Sequence, residues 1–99
     1  NQFQPINQRA DGGALWENFF INERRRFNAY HNTGTQSYFW RTYDQQEIDL
    51  IEVSPDGQLA AFECKWQNKK HKVPGAWPKA YPETPVQFAH PENFTQFLL

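Results

Sequence analysis

The sequence predicts one α/β (α+β) domain in which a helix precedes an antiparallel three-strand meander, a short second helix and a last strand. Three observations support this fold class: an early segment with helical spacing of apolar residues, three strand-like segments separated by turn signals, and a further strand-like segment near the C-terminus. A chain of 99 residues suits a single domain with one core, because a domain of this size buries about two-thirds of its unfolded surface. We therefore treat residues 1–99 as one unit.

The first helix is predicted over residues 14–29. Residues 1–13 lack periodicity and end in Asp11-Gly12-Gly13, which signals a turn or a helix entry. The apolar residues that then recur at helical spacing are Leu15, Phe19, Phe20 and Phe27. Arg24-Arg25-Arg26 follows in the second half of the helix, where cations suit the helix dipole. This arginine run is either a solvated helix face or a DNA contact.

The meander is predicted over residues 37–43, 47–53 and 58–66. The first segment is aromatic and threonine-rich, and the other two are mostly apolar, as strands are. Ser54-Pro55-Asp56-Gly57 is a turn signal between the second and third segments. The short spacing predicts hairpin connections.

The C-terminal third of the chain is predicted to be less regular. Residues 67–73 form a basic loop, which either contacts phosphates or is simply solvated. Residues 75–81 suit a short helix whose length is limited by prolines. Residues 84–89 suit a last strand, and residues 91–99 a helix or turn.

Three acidic residues and one lysine are the candidate functional residues. Asp49 and Glu63 interrupt apolar strands, and their separation of 14 positions fits a strand, a turn and a return strand. Lys65 points to the same face as Glu63, because side chains alternate along a strand with period two. Glu17 would approach from the first helix. Carboxylates that converge in this way form the oxygen-rich site preferred by a hard cation such as Mg²⁺ or Mn²⁺.

The chemistry that this cluster suits is hydrolysis of a phosphodiester. Two carboxylates at ~4 Å repel each other by about 4 kcal/mol at an effective dielectric near 20, and a divalent cation removes that repulsion. We expect Asp49, Glu63 and Glu17 to be metal ligands, and Lys65 to orient the attacking water or stabilise the phosphorane. The alternatives are an ordinary ion pair at the end of a sheet and, for Glu17, a solvated carboxylate in the first helical turn.

Four sequence blocks resemble the PD-(D/E)xK restriction-endonuclease-like superfamily. More narrowly, they resemble the uncharacterised C-terminal domain that follows predicted AAA+-type ATPase domains in bacteria and archaea. The blocks are Gly13-Ala14-Leu15-Trp16-Glu17-Asn18-Phe19, Tyr38-Phe39-Trp40-Arg41, Glu47-Ile48-Asp49-Leu50-Ile51 and Phe62-Glu63-Cys64-Lys65. The resemblance implies a restriction-endonuclease-like core with a central mixed sheet, and catalytic roles for Glu17, Asp49, Glu63 and Lys65 in active members. The usual Pro-Asp dipeptide is absent, since Ile48 precedes Asp49.

The composition restricts the cellular compartment and the partners of the protein more than it restricts the reaction. The counts Lys+Arg 10 and Asp+Glu 11 give a net charge of −1, so bulk charge provides no argument for nucleic acid or for an anionic membrane. No apolar run approaches the ~20 residues that span a bilayer, so no membrane partner is expected. A single cysteine, Cys64, favours a reducing compartment and hence the cytoplasm. It also lacks zinc-like spacing with His31, His71 and His90.

Two functions therefore compete. The first is a Mg²⁺-dependent nuclease acting on DNA. The second is a non-catalytic accessory module that binds nucleic acid or protein and docks on an ATPase domain through an aromatic surface. The absence of methionine and the polar start of the chain indicate a piece excised from a longer polypeptide. The resemblance implies that this piece is the C-terminal domain of a larger, ATPase-containing chain. A purely structural role is the third possibility.

Overall fold

The computed structural model describes residues 3–5, 15–44, 46–65 and 73–98. Its elements are strand β1 (Phe3–Pro5), helix α1 (Leu15–Tyr30), strands β2 (Gln36–Arg41), β3 (Glu47–Val53) and β4 (Leu59–Cys64), helix α2 (Ala76–Ala80), strand β5 (Val86–Ala89) and a C-terminal 3₁₀ helix (Phe94–Phe97). The strands form one sheet in the order β1-β2-β3-β4-β5. The first four pair antiparallel, whereas β5 pairs parallel with β4, so the sheet is mixed.

The predicted helices, meander and last strand are confirmed, with ends that differ by a few residues. Strand β1 was missed by the sequence analysis, which assigned residues 1–13 no regular structure. It has only three residues, ends at a proline and lies at the sheet edge, where proline is tolerated. Residue 66, predicted to end β4, and most of the predicted basic loop lie outside the described residues.

The core has two parts, one on each face of the sheet. Helix α1 covers one face, which we call the α1 face; its buried residues are Phe20, Ile21, Leu50, Phe62 and Ala89. Helix α2 covers the other face, called the α2 face; its buried residues are Trp40, Ile48, Ile51, Ala61 and Trp77. On the α2 face the rings of Trp40 and Trp77 meet edge to face, with centroids 5.1 Å apart. No helix among the described residues is long and apolar enough to cross a membrane.

Helix α1 buries only part of the side that the apolar spacing suggests. Phe20 and Ile21 are buried, but Leu15 is 71% exposed and Phe19 is 44% exposed. Phe19 stacks on the half-buried Trp16 and contacts the edge of Phe94. The helix therefore leaves an apolar surface uncovered near its N-terminus.

The Arg24 side chain is largely buried. The two predictions for the arginine run, a solvated helix face or a DNA contact, are therefore both wrong at this residue. Its guanidinium makes two bonds to the Glu52 carboxylate, of 2.8 Å from Nε and 2.6 Å from Nη2. Nη1 donates to the Phe97 carbonyl. Both charged side chains are largely buried. This arginine joins α1, β3 and the 3₁₀ helix, because a guanidinium can satisfy several acceptors at once.

Strand β3 contains an irregularity beside the candidate site. Tyr38 pairs with Ile51 and Trp40 pairs with Ile48, so two steps along β2 oppose three along β3. One extra β3 residue is accommodated as a β-bulge, and this lets Ile48 and Ile51 both face α2. Asp49 lies inside the bulge. Its side chain therefore need not follow the alternation between the two faces that holds in a regular strand.

Candidate functional site

Strands β3 and β4 separate at the candidate site, and two carboxylates bridge the opening. The last Cα pair of the regular ladder is Leu50 with Phe62. Beyond it, the Asp49 backbone N–H donates to Glu63 Oε1 at 2.9 Å, and the Cys64 backbone N–H donates to Asp49 Oδ2 at 2.8 Å. Side-chain oxygens thus take the place of backbone carbonyls. This reciprocal arrangement fixes both carboxylates close to each other.

Lys65 lies on the same side as Glu63, as the strand alternation suggests. Its Nζ is 3.5 Å from Glu63 Oε2. The lysine side chain is one-third exposed, whereas that of Glu63 is almost fully enclosed. The Lys65 backbone N–H continues the parallel ladder by donating to the Ala89 carbonyl at 2.8 Å. The ammonium therefore stands at the mouth of the site with the buried carboxylate behind it.

The electrostatics of Glu63 are set mainly by burial. Burial and the nearby negative charge of Asp49 raise the pKa of Glu63 from its ordinary value of 4.5 to about 7. The Asp49 N–H bond and the positive charge of Lys65 lower the pKa, but they do not cancel the larger effects. Either protonation of Glu63 or a further cation beside its carboxylate would therefore stabilise this site.

Glu17 approaches from the other side of β4. It lies in the first turn of α1. Burial raises the pKa of the Cys64 thiol, and the negative charges of Asp49, Glu17 and Glu63 raise it further, in that order. Glu17 is not among the groups that perturb Glu63. The structure therefore joins both Asp49 and Lys65 to Glu63. It places Glu17 close enough to Cys64, which packs against the α1 face, for the Glu17 charge to act on that thiol.

The donor set suits a hard cation only in part. In the part of the chain that the structure describes, no group of three or more His, Cys, Asp or Glu side chains is arranged to hold a metal ion. Two carboxylates are nevertheless adjacent, and Mg²⁺ is commonly bound through one or two carboxylates with water and substrate phosphates as its other ligands. Asp49 and Glu63 fit this arrangement. Glu17 adds a third negative charge nearby, since its charge acts on the adjoining Cys64 thiol.

Two further residues, Trp16 and His90, lie at the edge of the candidate site and were not among the predicted site residues. Trp16 donates from Nε1 to the Ala89 carbonyl at 3.1 Å, the same oxygen that accepts the Lys65 N–H. This bond anchors the first turn of α1, and with it Glu17, to the end of β5. His90 follows Ala89 directly and was considered only as a zinc ligand. The position of His90 just after a predicted strand could have indicated that it lies near the site. Nothing in the local sequence indicates this for Trp16.

Lys69, Lys70, His71 and Lys72 of the predicted basic loop lie outside the described residues. Trp66 also lies outside the described residues. Trp40 and Trp77 are each 1% exposed and belong to the core. Neither ring can stack on a base.

Fold and site together define an α+β domain with a mixed sheet and a carboxylate–lysine cluster where two strands separate. Residues 12–90 match the family described as a domain of unknown function (DUF4143), and the chain belongs to that family. No curated protein and no solved structure has a significant match to the chain. Membership of the PD-(D/E)xK superfamily and association with an AAA+-type ATPase therefore stay predictions.

Proposed function

We propose that this domain is a PD-(D/E)xK nuclease-like domain with a restriction-endonuclease-like core that hydrolyses DNA phosphodiester bonds with Mg²⁺ or Mn²⁺. The observation that carries the proposal is the contact of Asp49, Glu63 and Lys65 at one strand opening. The raised pKa of Glu63 supports it, because a buried carboxylate beside another one is stabilised by a cation. Perturbed carboxylates with a specific charge partner are frequent at functional sites.

The proposed roles follow from where each group stands. Asp49 and Glu63 hold the metal, and Glu17 completes its shell through water. When bound, the cation supplies a water of lowered pKa and neutralises charge on the phosphate. Lys65, at the mouth, orients the attacking water or binds the phosphate oxygen that gains charge. Each carboxylate oxygen that accepts a backbone N–H keeps a further lone pair, so the bonds at Asp49 and Glu63 do not preclude coordination.

Cleavage of plasmid DNA by the purified domain with Mg²⁺ or Mn²⁺ tests this proposal. We expect Lys65→Ala and Asp49→Asn to abolish nicking, whereas Lys79→Ala, which removes an exposed lysine on α2, leaves it unchanged. Cleavage that persists in the Lys65 and Asp49 variants would show that these residues are assigned wrongly. No cleavage by folded wild-type protein would favour the second candidate.

Metal binding can also be tested separately, by a measurement that does not require nuclease activity. Above pH 7, where Glu63 is ionised, Mn²⁺ should raise the unfolding temperature of the wild type. The neutral variant Glu63→Gln should show a much smaller increase. Equal increases in the two proteins would exclude Glu63 as a ligand.

The second candidate is an accessory module that docks on an ATPase domain of the parent chain and contributes no catalysis. The exposed apolar side chains of Leu15 and Phe19 favour it, because they adjoin the aromatic contacts of Trp16 and Phe94. It predicts that Leu15→Glu with Phe19→Glu weakens binding of the domain to that ATPase domain when the two are mixed as separate polypeptides. Both candidates are consistent with the cytoplasm, which the single free cysteine Cys64 favours.

A further inference from the structure

His90 lies beside Lys65 at the same edge of the sheet. In the parallel pairing of β4 with β5, Glu63 is opposite Phe88 and Cys64 is opposite Ala89, so the next pair in this register is Lys65 with His90. The bond from the Lys65 N–H to the Ala89 carbonyl shows that the ladder reaches this point. Carboxyl ends of parallel strands meet at one edge of a sheet, where ligand sites are common.

Strand alternation puts His90 on the face that carries Glu63 and Lys65. Val86 packs on the α2 face, and His90 follows it by four residues, so both point the same way. Ala61, which also packs on the α2 face, precedes Lys65 by four residues. The imidazole therefore extends the surface on which the Lys65 ammonium stands.

The backbone of His90 is held in one conformation. Its N–H donates to Asn93 Oδ1 at 2.8 Å, and its carbonyl accepts the N–H groups of Asn93 and Phe94, each at 3.0 Å. Asn93 Nδ2 also donates to the Phe88 carbonyl at 2.9 Å. Pro91 has no N–H, so the ladder with β4 cannot continue past His90. A side chain on such a rigid turn is pre-organised for binding.

The two ring nitrogens of His90 have different surroundings. Nδ1 is buried and has no hydrogen-bond partner among the described residues. An N–H left unpaired at this position would be unfavourable, so the hydrogen of the neutral ring belongs on Nε2. The ring as a whole is only half-buried, and Nε2 does not belong to the buried atoms that lack a partner. The Nε2–H group is therefore the one directed to solvent.

We propose that His90 Nε2–H binds a non-bridging phosphate oxygen of the DNA strand at the Lys65 site. The inference rests on the proposed function, because it takes a DNA phosphodiester as the ligand. Lys65 provides the positive charge, and His90 provides a fixed, directional donor beside it. His90 is thus a substrate-binding residue in addition to the four that the sequence indicates.

The experiment compares two amides at position 90. In His90→Gln the amide nitrogen occupies roughly the place of Nε2, whereas in His90→Asn it reaches only as far as Nδ1. We expect His90→Asn to bind a short fluorescein-labelled DNA oligonucleotide about tenfold more weakly than the wild type, as loss of a hydrogen bond to a charged group implies. His90→Gln should retain most of the affinity. His31→Asn, an exposed histidine after α1, is the matched control and should bind like the wild type.

Nuclear magnetic resonance of the wild type gives a second measurement that does not depend on variant folding. Titration with the oligonucleotide should shift the Nε2 signal of His90 and leave that of His31 in place. An unmoved His90 signal, equal affinities of the Asn and Gln variants, or no binding of DNA by the wild type would each overturn the inference. Binding through His90 without cleavage would refute the nuclease proposal alone. Cleavage with unchanged DNA affinity in His90→Asn would refute only the role of His90.

Discussion

The buried carboxylate of Glu63 should make the stability of this domain depend on pH. Glu63 is 7% exposed, and its pKa is raised to about 7 by burial and by Asp49. In the unfolded chain the same group titrates near its ordinary value of 4.5. Between these two pKa values the native state keeps a proton that the unfolded state has released. The free energy of unfolding therefore falls as the pH rises through this window.

The size of the effect follows from the pKa difference. Each pKa unit corresponds to about 1.4 kcal/mol, so ionised Glu63 destabilises the native state by on the order of 3 kcal/mol above pH 7. Glu63→Gln removes the charge but keeps a carbonyl oxygen that can accept the Asp49 N–H. We expect the variant to gain about 3 kcal/mol relative to the wild type between about pH 4.5 and about pH 8.

Urea unfolding followed by tryptophan fluorescence across this pH range measures the difference directly. Glu83→Gln, at an exposed carboxylate, is the control and should follow the wild type at every pH. Parallel stability curves for the wild type and Glu63→Gln would refute the reasoning, because they would mean that Glu63 titrates alike in the folded and unfolded states. A variant that loses stability as the pH rises would refute it as well.

Three further predictions concern the rest of the fold. Arg24→Met should lower the free energy of unfolding in urea by about 3–5 kcal/mol because it leaves the Glu52 carboxylate buried without its partner, whereas Arg26→Met, at an exposed ion pair, should change it little. Gly34→Ala should cost about 1–2 kcal/mol in the same assay, because Gly34 has φ +73° and an added Cβ would lie 2.9 Å from a proline ring carbon. The Cys64 thiol should react slowly with a disulfide reagent at neutral pH and quickly in urea, because burial raises its pKa in the native state. Fast reaction without urea, or a small effect of Arg24→Met, would contradict the respective argument.

The order of the helices, the meander and the last strand was predictable because it depends on local sequence patterns. Helix α1 and the meander follow from spacing of 3.6 and 2 residues and from turn signals between the segments. Asp49 and Glu63 could be singled out as candidates for a related reason: they are charged residues inside apolar strands, which is unusual enough to mark them. The same reasoning failed for Leu15 and Phe19, since apolar spacing indicates a helix but does not determine which side another layer covers.

The sequence by itself determined the two helices, the meander and the last strand, their order, and the residue types available for chemistry, because each depends on neighbours a few positions away; it did not determine β1. Only the tertiary structure decided that a bulge turns Asp49 toward Glu63, that Arg24 is buried against Glu52, and that Ala89 joins the ends of two elements. These features depend on strand register and burial, which are set by residues far apart in the chain. The raised pKa of Glu63 is of this kind, because it arises from the desolvation that packing imposes.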